Sequence, residues 1–325
     1  MIAYAFRKLV YALAVLVGVN LITFALFFAV NTPDDMARLA IGGKYVSTEA
    51  IQSWKAARGY DVPLIVNGEQ EGMSKFTETV FFRKSAPLLA LDFGMSESGR
   101  SINHEIARRA GPSLALAVPS FILGVMATVV FSLVLVALRG SILGRAGVAF
   151  SIGVMSVSSL FYIVFGQWLF AQSLKLVPVS GFEPGPRMAL FLILPVLIAV
   201  FASLGSDVLL YRSVFIGEMQ KDYVRTARAK GAGPARVLFN HVLRNAMLPI
   251  LTGTVAAIPM LFMGSLVMES FFGIPGLGSY TIDAIAAQDF TVVRAMVFLG
   301  TLAYVAGLIA TDIAYAAADP RIRLR

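Results

Sequence analysis

The segment DYVRTARAKG, residues 222–231, is a basic stretch that lies between long apolar runs. Ala, Arg and Lys favour helical conformation, so the composition here predicts a helix over residues 218–230. Gly231 directly follows Lys230, and a glycine that tolerates positive φ after a terminal cation is typical of a helix end. The stretch therefore predicts a short charged helix that stops abruptly.

A second helix is predicted directly after this stop. Pro234 is tolerated in a first helical turn, so the chain can resume helical structure there. From Ala235 onward the helical period separates the side chains into two faces, one polar (Arg236, Asn240, Arg244) and one apolar (Leu238, Val242, Ala246). The residues alone leave two interpretations open: a positive loop that obeys membrane topology or binds anionic lipid heads, and a docking element for a partner protein.

The composition places the chain in a membrane. Of its 325 residues 58% are hydrophobic, whereas about half is usual in a soluble domain. There is no Cys, which excludes disulfides and thiolate metal sites, and the two histidines, His104 and His241, are too isolated for a metal centre. The net charge of +8 is concentrated in a few basic clusters. Such clusters indicate membrane topology rather than nucleic-acid binding.

Six stretches reach the roughly 20 apolar residues that a transmembrane helix needs. They cover residues 9–30, 113–138, 146–173, 188–211, 247–272 and 292–317. Loops 139–145 and 212–246 and the tail after residue 317 are basic, which predicts that they and both termini lie in the cytoplasm. Loops 31–112, 174–187 and 273–291 are then external. The predicted fold class is an all-α integral membrane protein with six transmembrane helices.

The predicted organisation has four parts: an N-terminal anchor helix (residues 1–30), an enlarged external loop or subdomain (31–112), a transmembrane core (113–317) and a cytoplasmic tail (318–325). The large loop carries aromatic and branched residues, which favour a small folded subdomain over a disordered connector.

Residues 222–231 resemble the cytoplasmic coupling segment of ABC importer permeases, in the form carried by the dipeptide, oligopeptide and nickel permease family. Arg225-Thr226-Ala227 stand where the general pattern has Glu-Ala-Ala, and Gly231 takes the position of its glycine. Other stretches resemble the same family at residues 31–43, 54–64, 91–119, 178–181, 271–278 and 312–323. The resemblance is strongest over residues 218–325 and weakest over residues 65–90.

The resemblance implies a coupling helix between the fourth and fifth spans, within a coupling segment at residues 213–246. The residues implied to contact an ATPase are Asp222, Tyr223, Arg225, Thr226, Ala227, Arg228, Lys230 and Gly231. The implied partners are a homologous second permease subunit in a heterodimer, two ABC ATPase subunits that bind ATP and Mg, an external solute-binding protein and the lipid of a bacterial inner membrane, without nucleic acid. The implied cargo is a peptide or a similar solute, and a nickel chelate remains open.

Polar residues within the predicted spans are candidates for lining a transport path. These candidates are Ser156, Ser159, Gln167, Asp207 and Glu269. Small polar residues serve helix packing and path lining equally well. A lone carboxylate at membrane depth costs about 2.5–3.5 kcal/mol, so the two acids need a polar path, a proton relay or an inter-helix hydrogen bond.

A glycine-rich turn and two prolines within spans also carry structural predictions. Pro275, Gly276 and Gly278 belong to a motif that resembles the external turn of the same permease family. Pro195 and Pro259 are predicted to kink their spans.

The sequence contains no Gly-x-x-x-x-Gly-Lys-Ser/Thr phosphate loop, no His-Glu-x-x-His and no Gly-x-Ser-x-Gly. No catalytic site is therefore predicted, and ATP hydrolysis is expected on separate subunits. An ion-driven secondary transporter that uses Asp207 and Glu269, and a scaffold without a path, are the alternatives. A secondary transporter would be expected to show an internal repeat, which the sequence lacks.

Overall fold

The computed structural model describes residues 2–30, 32–42 and 46–318. Within these ranges the chain is all-helical, and Met95 and Ser101 form an isolated bridge outside any strand. The predicted cytoplasmic tail, apart from Ala318, lies outside the described residues, as do Asn31 and Gly43 at the ends of the stretch 31–43.

The chain divides into two compact units, and the first comprises Met1–Arg108 and Asp283–Leu302. Its N-terminal part contains five helices: α1 (Ile2–Val30), α2 (Pro33–Ile41), α3 (Thr48–Arg58), α4 (Ser74–Thr77) and α5 (Val80–Leu89). Phe24 of α1 packs with Tyr60 and Val80 into a buried core. Helices of loop 31–112 therefore share a buried core with α1, and a separate external subdomain stays a prediction.

The second unit comprises Arg109–Ile282 and Ala303–Arg325. The next helices in the chain are α6 (Ile102–Ala137), α7 (Ile142–Ser156), α8 (Ser159–Gly166, with a π-helical continuation Gln167–Ser173), α9 (Met188–Ser203) and α10 (Ser206–Met219). They are followed by α11 (Asp222–Ala229), α12 (Pro234–Arg236, with the π-helical stretch Val237–Leu243), α13 (Arg244–Ala257, ending in the 3-10 stretch Ile258–Met263), α14 (Leu266–Phe272), α15 (Leu277–Ala286) and α16 (Phe290–Ala318).

In the described part of the chain, four helices are long and apolar enough to cross a membrane: Val10–Phe28, Ile102–Ala137, Pro234–Met263 and Phe290–Asp312. Two bent pairs would raise the number to six if each pair is one span. α7 and α8 meet at 91°, and α9 and α10 meet at 46°. The predicted stretches 146–173 and 188–211 are therefore not single straight helices.

The two sharp bends fall at helix breaks, and neither Pro195 nor Pro259 lies at one of them. α9 continues through Pro195 to Ser203, and the chain breaks at Leu204 and Gly205 instead. Gly205 lies so close to Met155 of α7 that a Cβ atom would meet its backbone, which brings the two bent pairs together at their breaks. At Pro259 the helix changes to the tighter 3-10 form, as the predicted irregularity requires.

The predicted fifth span, residues 247–272, has the wrong limits. Its helix begins at Pro234 and ends at Met263, where Gly264 adopts φ +72° and separates it from α14. The apolar face of residues 238–246 joins the core of the second unit, so the helix extends well before the purely apolar run. The hydrophobic run located the span but not its ends.

Candidate functional site: the coupling segment and a buried carboxylate

The charged helix begins later than the sequence predicts. α10 ends at Met219, Lys221 is extended, and α11 covers Asp222–Ala229 instead of residues 218–230. Phe215 of α10 and Val224 of α11 belong to one buried cluster. The chain turns so that both side chains reach this cluster, and such packing overrides a helix propensity of a few tenths of a kcal/mol per residue.

α11 is held by a narrow apolar face. Val224 is fully buried and Ala227 is 8% exposed, and both pack with Leu133 of α6 and Val242 of the following helix. Burial of a Val side chain contributes about 1.5 kcal/mol or more, so this contact fixes the helix firmly on its neighbours.

The other side of α11 is charged and open. Arg225, Arg228 and Lys230 are exposed. The ion pair between Arg225 Nη1 and Asp222 Oδ1 is 3.5 Å long, and its side chains are 77% and 94% exposed. Exposed pairs of this kind contribute at most about 1 kcal/mol, so these arginines are free to exchange their partner for a better one. Thr226 Oγ1 donates to the carbonyl of Asp222 at 3.0 Å and so turns back onto its own helix.

Tyr223 joins α11 to α10 across the break between them. Its hydroxyl donates a short hydrogen bond, 2.5 Å long, to Glu218 Oε2. Partial burial, and secondly this carboxylate, raise the pKa of Tyr223 to about 12. The phenol is therefore a neutral donor at ordinary pH and braces the start of the helix.

The end of α11 is as predicted. Gly231 adopts φ +81°, its N–H bonds the carbonyl of Arg228, and the N–H of Ala232 bonds that of Ala227. These two bonds form the Schellman motif that terminates helices at a glycine. The two-faced helix that follows is also confirmed, because Leu238, Val242 and Ala246 are buried while Arg236, Asn240 and Arg244 are exposed.

Glu269 lies in a closed hydrogen-bonded cage. Its side chain is fully buried, and three donors surround the carboxylate: Ser113 Oγ at 2.8 Å, the N–H of Ser265 at 3.0 Å and the N–H of Ser279 at 3.0 Å. A buried carboxylate is stable when several hydrogen bonds compensate its lost hydration. Of the roles left open by the sequence, the structure shows the inter-helix hydrogen bond.

The cage joins three segments of the second unit. Ser265 caps α14, Ser279 lies in the first turn of α15, and Ser113 belongs to α6. The N-termini of α14 and α15 both direct free N–H groups at the same carboxylate, which places a negative charge where helix dipoles favour it. Ser113 also accepts the N–H of Leu277 at 2.7 Å. One acid thus determines the path of the chain from Gly264 to Ser279.

The glycines of the predicted external turn make this cage possible. A Cβ atom at Gly276 would overlap the Glu269 carboxylate and Ser113, and one at Gly278 would overlap the backbone of Ser265. Pro275, directly before Gly276, is exposed. The role of this turn is therefore close packing around Glu269, whichever side of the membrane it faces.

The remaining candidates for path lining are separate from the cage. Gln167 donates to the carbonyls of Val179 and Phe271 at 3.0 and 2.9 Å, which makes it a brace between two turns. Ser156 bonds the carbonyl of Ile152 in its own helix. Ser159 and Asp207 are exposed beside the two helix breaks. A role of these residues in a path stays a prediction.

Sequence reasoning missed the serines that hold Glu269. The cost of a lone acid in a span does predict that a partner exists. The partner Ser113 lies 156 residues away, however, and a serine in an apolar helix carries no signal of its own. Among the described residues no group of acids and histidines could hold a metal ion.

The long apolar helices define a multi-pass membrane protein, with a charged segment between two of them. A family model for the inner membrane component of binding-protein-dependent transport systems matches residues 110–324, and a model for the N-terminal part of such components matches residues 1–101. The chain belongs to this family of ABC importer permeases, whose members are transport subunits and not enzymes.

Curated relatives match over the whole length. A putative peptide transport system permease protein of Brucella abortus is 30% identical over 329 residues, which cover 99% of each chain. The glutathione transport system permease protein GsiC of Salmonella paratyphi A is 30% identical over 326 residues, which cover 100% of each chain. The resemblance seen in the coupling segment is thereby confirmed at the level of the family.

Proposed function

We propose that this chain is the membrane-spanning subunit of an ABC importer and forms, with a homologous second permease subunit, a path for peptides or similar solutes. An external binding protein delivers the solute, and two separate ATPase subunits bind ATP and Mg and hydrolyse the ATP. Membership of the family supports the permease role. The functions of two relatives, peptide and glutathione transport, support a peptide-like solute.

In this proposal each bent pair of helices counts as one span, so the chain crosses a bacterial inner membrane six times. Both termini and the coupling segment 213–246 lie in the cytoplasm, and loop 31–112 is external. The clustering of Lys and Arg in alternate loops supports this orientation. Reporter fusions after Gly94 and after Gly233 are expected to read as external and cytoplasmic respectively, and a cytoplasmic reading at Gly94 would contradict the orientation.

The observation that carries the proposal is the asymmetry of α11. Val224 and Ala227 seat the helix on the second unit, while Arg225 and Arg228 are exposed and have no buried carboxylate partner among the described residues. A helix that is firmly seated on one side and charged on the other transmits the rigid-body motion of whatever binds it. A cleft lined with carboxylates on an ATPase subunit would form charge-assisted hydrogen bonds with these arginines.

The test is the double charge reversal Arg225→Glu with Arg228→Glu, co-expressed with the second permease and the ATPase subunits of its own transport system. Truncating one partner of a buried charge pair costs about 2–5 kcal/mol of binding. Copurification of the ATPase should therefore fall at least about tenfold, and solute-stimulated ATP hydrolysis and import should be lost together.

The matched control is Lys175→Glu with Arg187→Glu, which reverses two charges in loop 174–187. This variant should retain the ATPase, and Arg225→Lys with Arg228→Lys should retain part of it. Wild-type import by the Arg225/Arg228 reversal would remove the docking role and return the segment to a topological loop.

A further inference from the structure

The first unit, Met1–Arg108 with Asp283–Leu302, contains a cavity of about 430 Å³. This volume lies within the range of small-molecule sites, about 300–1,000 Å³. α3, α5, the turn after α5 and the start of α16 line it. The charged and aromatic side chains that matter are Arg58, Tyr60, Arg83, Lys84, Glu97 and Arg294.

Positive charge outnumbers negative charge in the lining. Four cations line the cavity, against the two carboxylates Asp92 and Glu97. Glu97 is already engaged, because Oε2 accepts from Arg58 Nε at 3.0 Å. Asp92 Oδ1 accepts the N–H of Gly94 at 3.1 Å. Two carboxylates against four cations leave the lining with a formal excess of two positive charges.

Lys84 and Arg294 are the two cations held inside without a carboxylate partner in the described part of the chain. Lys84 Nζ lies 4.9 Å from the centre of the Tyr60 ring, and Arg294 Nη2 donates to the carbonyl of Lys84. Both residues are partly buried. Burial, and secondly the charge of Arg294, lower the pKa of Lys84, which indicates that the two cations repel each other.

The acid behind the cavity is not available to them. Asp289 is buried and accepts two backbone N–H groups, from Glu97 at 2.8 Å and from Val292 at 3.1 Å, the latter at the start of α16. Both carboxylate oxygens of Asp289 thus already accept a backbone N–H, and no bond from either to Lys84 or Arg294 is found among the described residues. The excess positive charge is therefore built into the unit.

We propose that this cavity binds a small anion that carries a carboxylate or a phosphate group, held between the guanidinium of Arg294 and the ammonium of Lys84. A guanidinium presents a planar fork that matches carboxylate and phosphate oxygens, and a lysine adds a compact charge. The bond to the Lys84 carbonyl fixes the fork in place before the ligand arrives. This inference does not depend on the proposed transport function or on the orientation in the membrane.

The experiment measures binding to the full chain in nanodiscs of phosphatidylcholine. The chain has two tryptophans, Trp54 and Trp168. In a Trp168→Phe background Trp54 is the only tryptophan and can be excited selectively; it stacks on Tyr60 and lies under the guanidinium of Arg58 beside the cavity. Succinate and inorganic phosphate are titrated at constant ionic strength against chloride, and a saturable change in fluorescence is expected for at least one of them.

Lys84→Met and Arg294→Gln should each raise the dissociation constant about tenfold or more, because a hydrogen bond to a charged group contributes about 1.5–3 kcal/mol. The matched controls are Lys75→Met and Arg100→Gln, which remove the same charges from exposed positions of the same unit and should leave binding unchanged. Lys84 donates no side-chain hydrogen bond among the described residues, so Lys84→Met should fold. If Arg294→Gln fails to fold, the dissociation constant of Lys84→Met alone tests the site.

A second arm replaces part of the lipid with phosphatidylglycerol. Saturation by this lipid, lost in the same two variants, would support the site and assign the anion to a membrane headgroup. The proposal is wrong if neither soluble anion nor anionic lipid saturates the signal. It is equally wrong if the exposed controls weaken binding as much as the cavity variants do.

Discussion

The Glu269 cage and the α11 helix both depend on charged side chains, but they use them in opposite ways. Glu269 is completely buried and accepts three hydrogen bonds from three segments. Arg225 of α11 is 77% exposed and has one ion pair of 3.5 Å with an even more exposed Asp222. The carboxylate of Glu269 has its hydrogen bonds inside the protein, whereas the guanidinium of Arg225 is accessible to a binding partner.

This difference separates structural from interaction roles. Removal of a buried acceptor leaves its donors without hydrogen bonds, so the stability of the chain depends on it. An exposed charge contributes little to stability, so its loss is felt mainly where a partner binds. Variants of the cage should therefore lower the free energy of unfolding, while variants of the outer face of α11 should mainly affect partner binding.

The largest effect is expected for Glu269→Leu. The N–H groups of Ser265 and Ser279 and the hydroxyl of Ser113 would lose their acceptor, at about 1–3 kcal/mol for each buried donor. The free energy of unfolding, measured by titration with dodecyl sulfate in mixed micelles, should fall by about 3 kcal/mol or more. Ser270→Ala is the control, because the buried Ser270 hydroxyl has no hydrogen-bond partner among the described residues. An equal loss in both variants would contradict the cage.

Gly276→Ala should have the next largest effect. The added Cβ atom would overlap Glu269 and Ser113, and overpacking of this kind costs about 1–3 kcal/mol. Gly253→Ala is the matched control, since a Cβ atom there would have no atom within 4 Å and α13 would gain helix propensity. The same unfolding measurement should show the first variant destabilised and the second unchanged or slightly stabilised. Tolerance of alanine at Gly276 would mean that the turn is not tightly packed.

Gly231→Val tests whether the backbone turn that ends α11 is needed for ATPase coupling. Gly231 has φ +81° with open space around it, so the cost of a side chain is conformational, about 1–3 kcal/mol. Because the strain lies at the end of α11, ATP-driven import should be lost in large part, whereas the free energy of unfolding should fall only by the cost of the strained backbone. Gly233→Val is the control, as Gly233 has φ −65° and equally open surroundings. Import that is equally impaired in both variants would exclude a special role for the Schellman turn.

The smallest effect is expected at Tyr223, whose pKa is raised to about 12 from 10.0. A raised phenol pKa means that folding favours the neutral form. Its contribution to stability is therefore complete below pH 10 and is lost as the pH rises toward 12. In ¹³C-tyrosine spectra one ring, absent from Tyr223→Phe, should titrate near pH 12. Glu218→Gln should lower this value only in part, because burial is the larger cause. Titration of Tyr223 near pH 10 in the native chain would contradict the brace.

Features that depend on neighbouring residues could be predicted from the sequence. The glycine stop at Gly231 and the two faces of the helix after Pro234 are confirmed, because both follow from backbone preferences and helical period. The start of the charged helix was wrong by four residues, since Phe215 and Val224 must reach the same core. The end of the fifth span at residue 272 was wrong, because Gly264 with φ +72° separates the helix that ends at Met263 from α14.

By itself the sequence determined that this is a membrane protein with a basic segment between apolar helices, and which permease family it resembles. Those conclusions need only composition, hydrophobic length and a motif of adjacent residues. The tertiary structure alone decided that Glu269 meets Ser113 across 156 positions, that two pairs of apolar helices meet at sharp bends, and that Lys84 lies beside Arg294. Contacts between residues so far apart depend on the whole path of the chain, which no local pattern encodes.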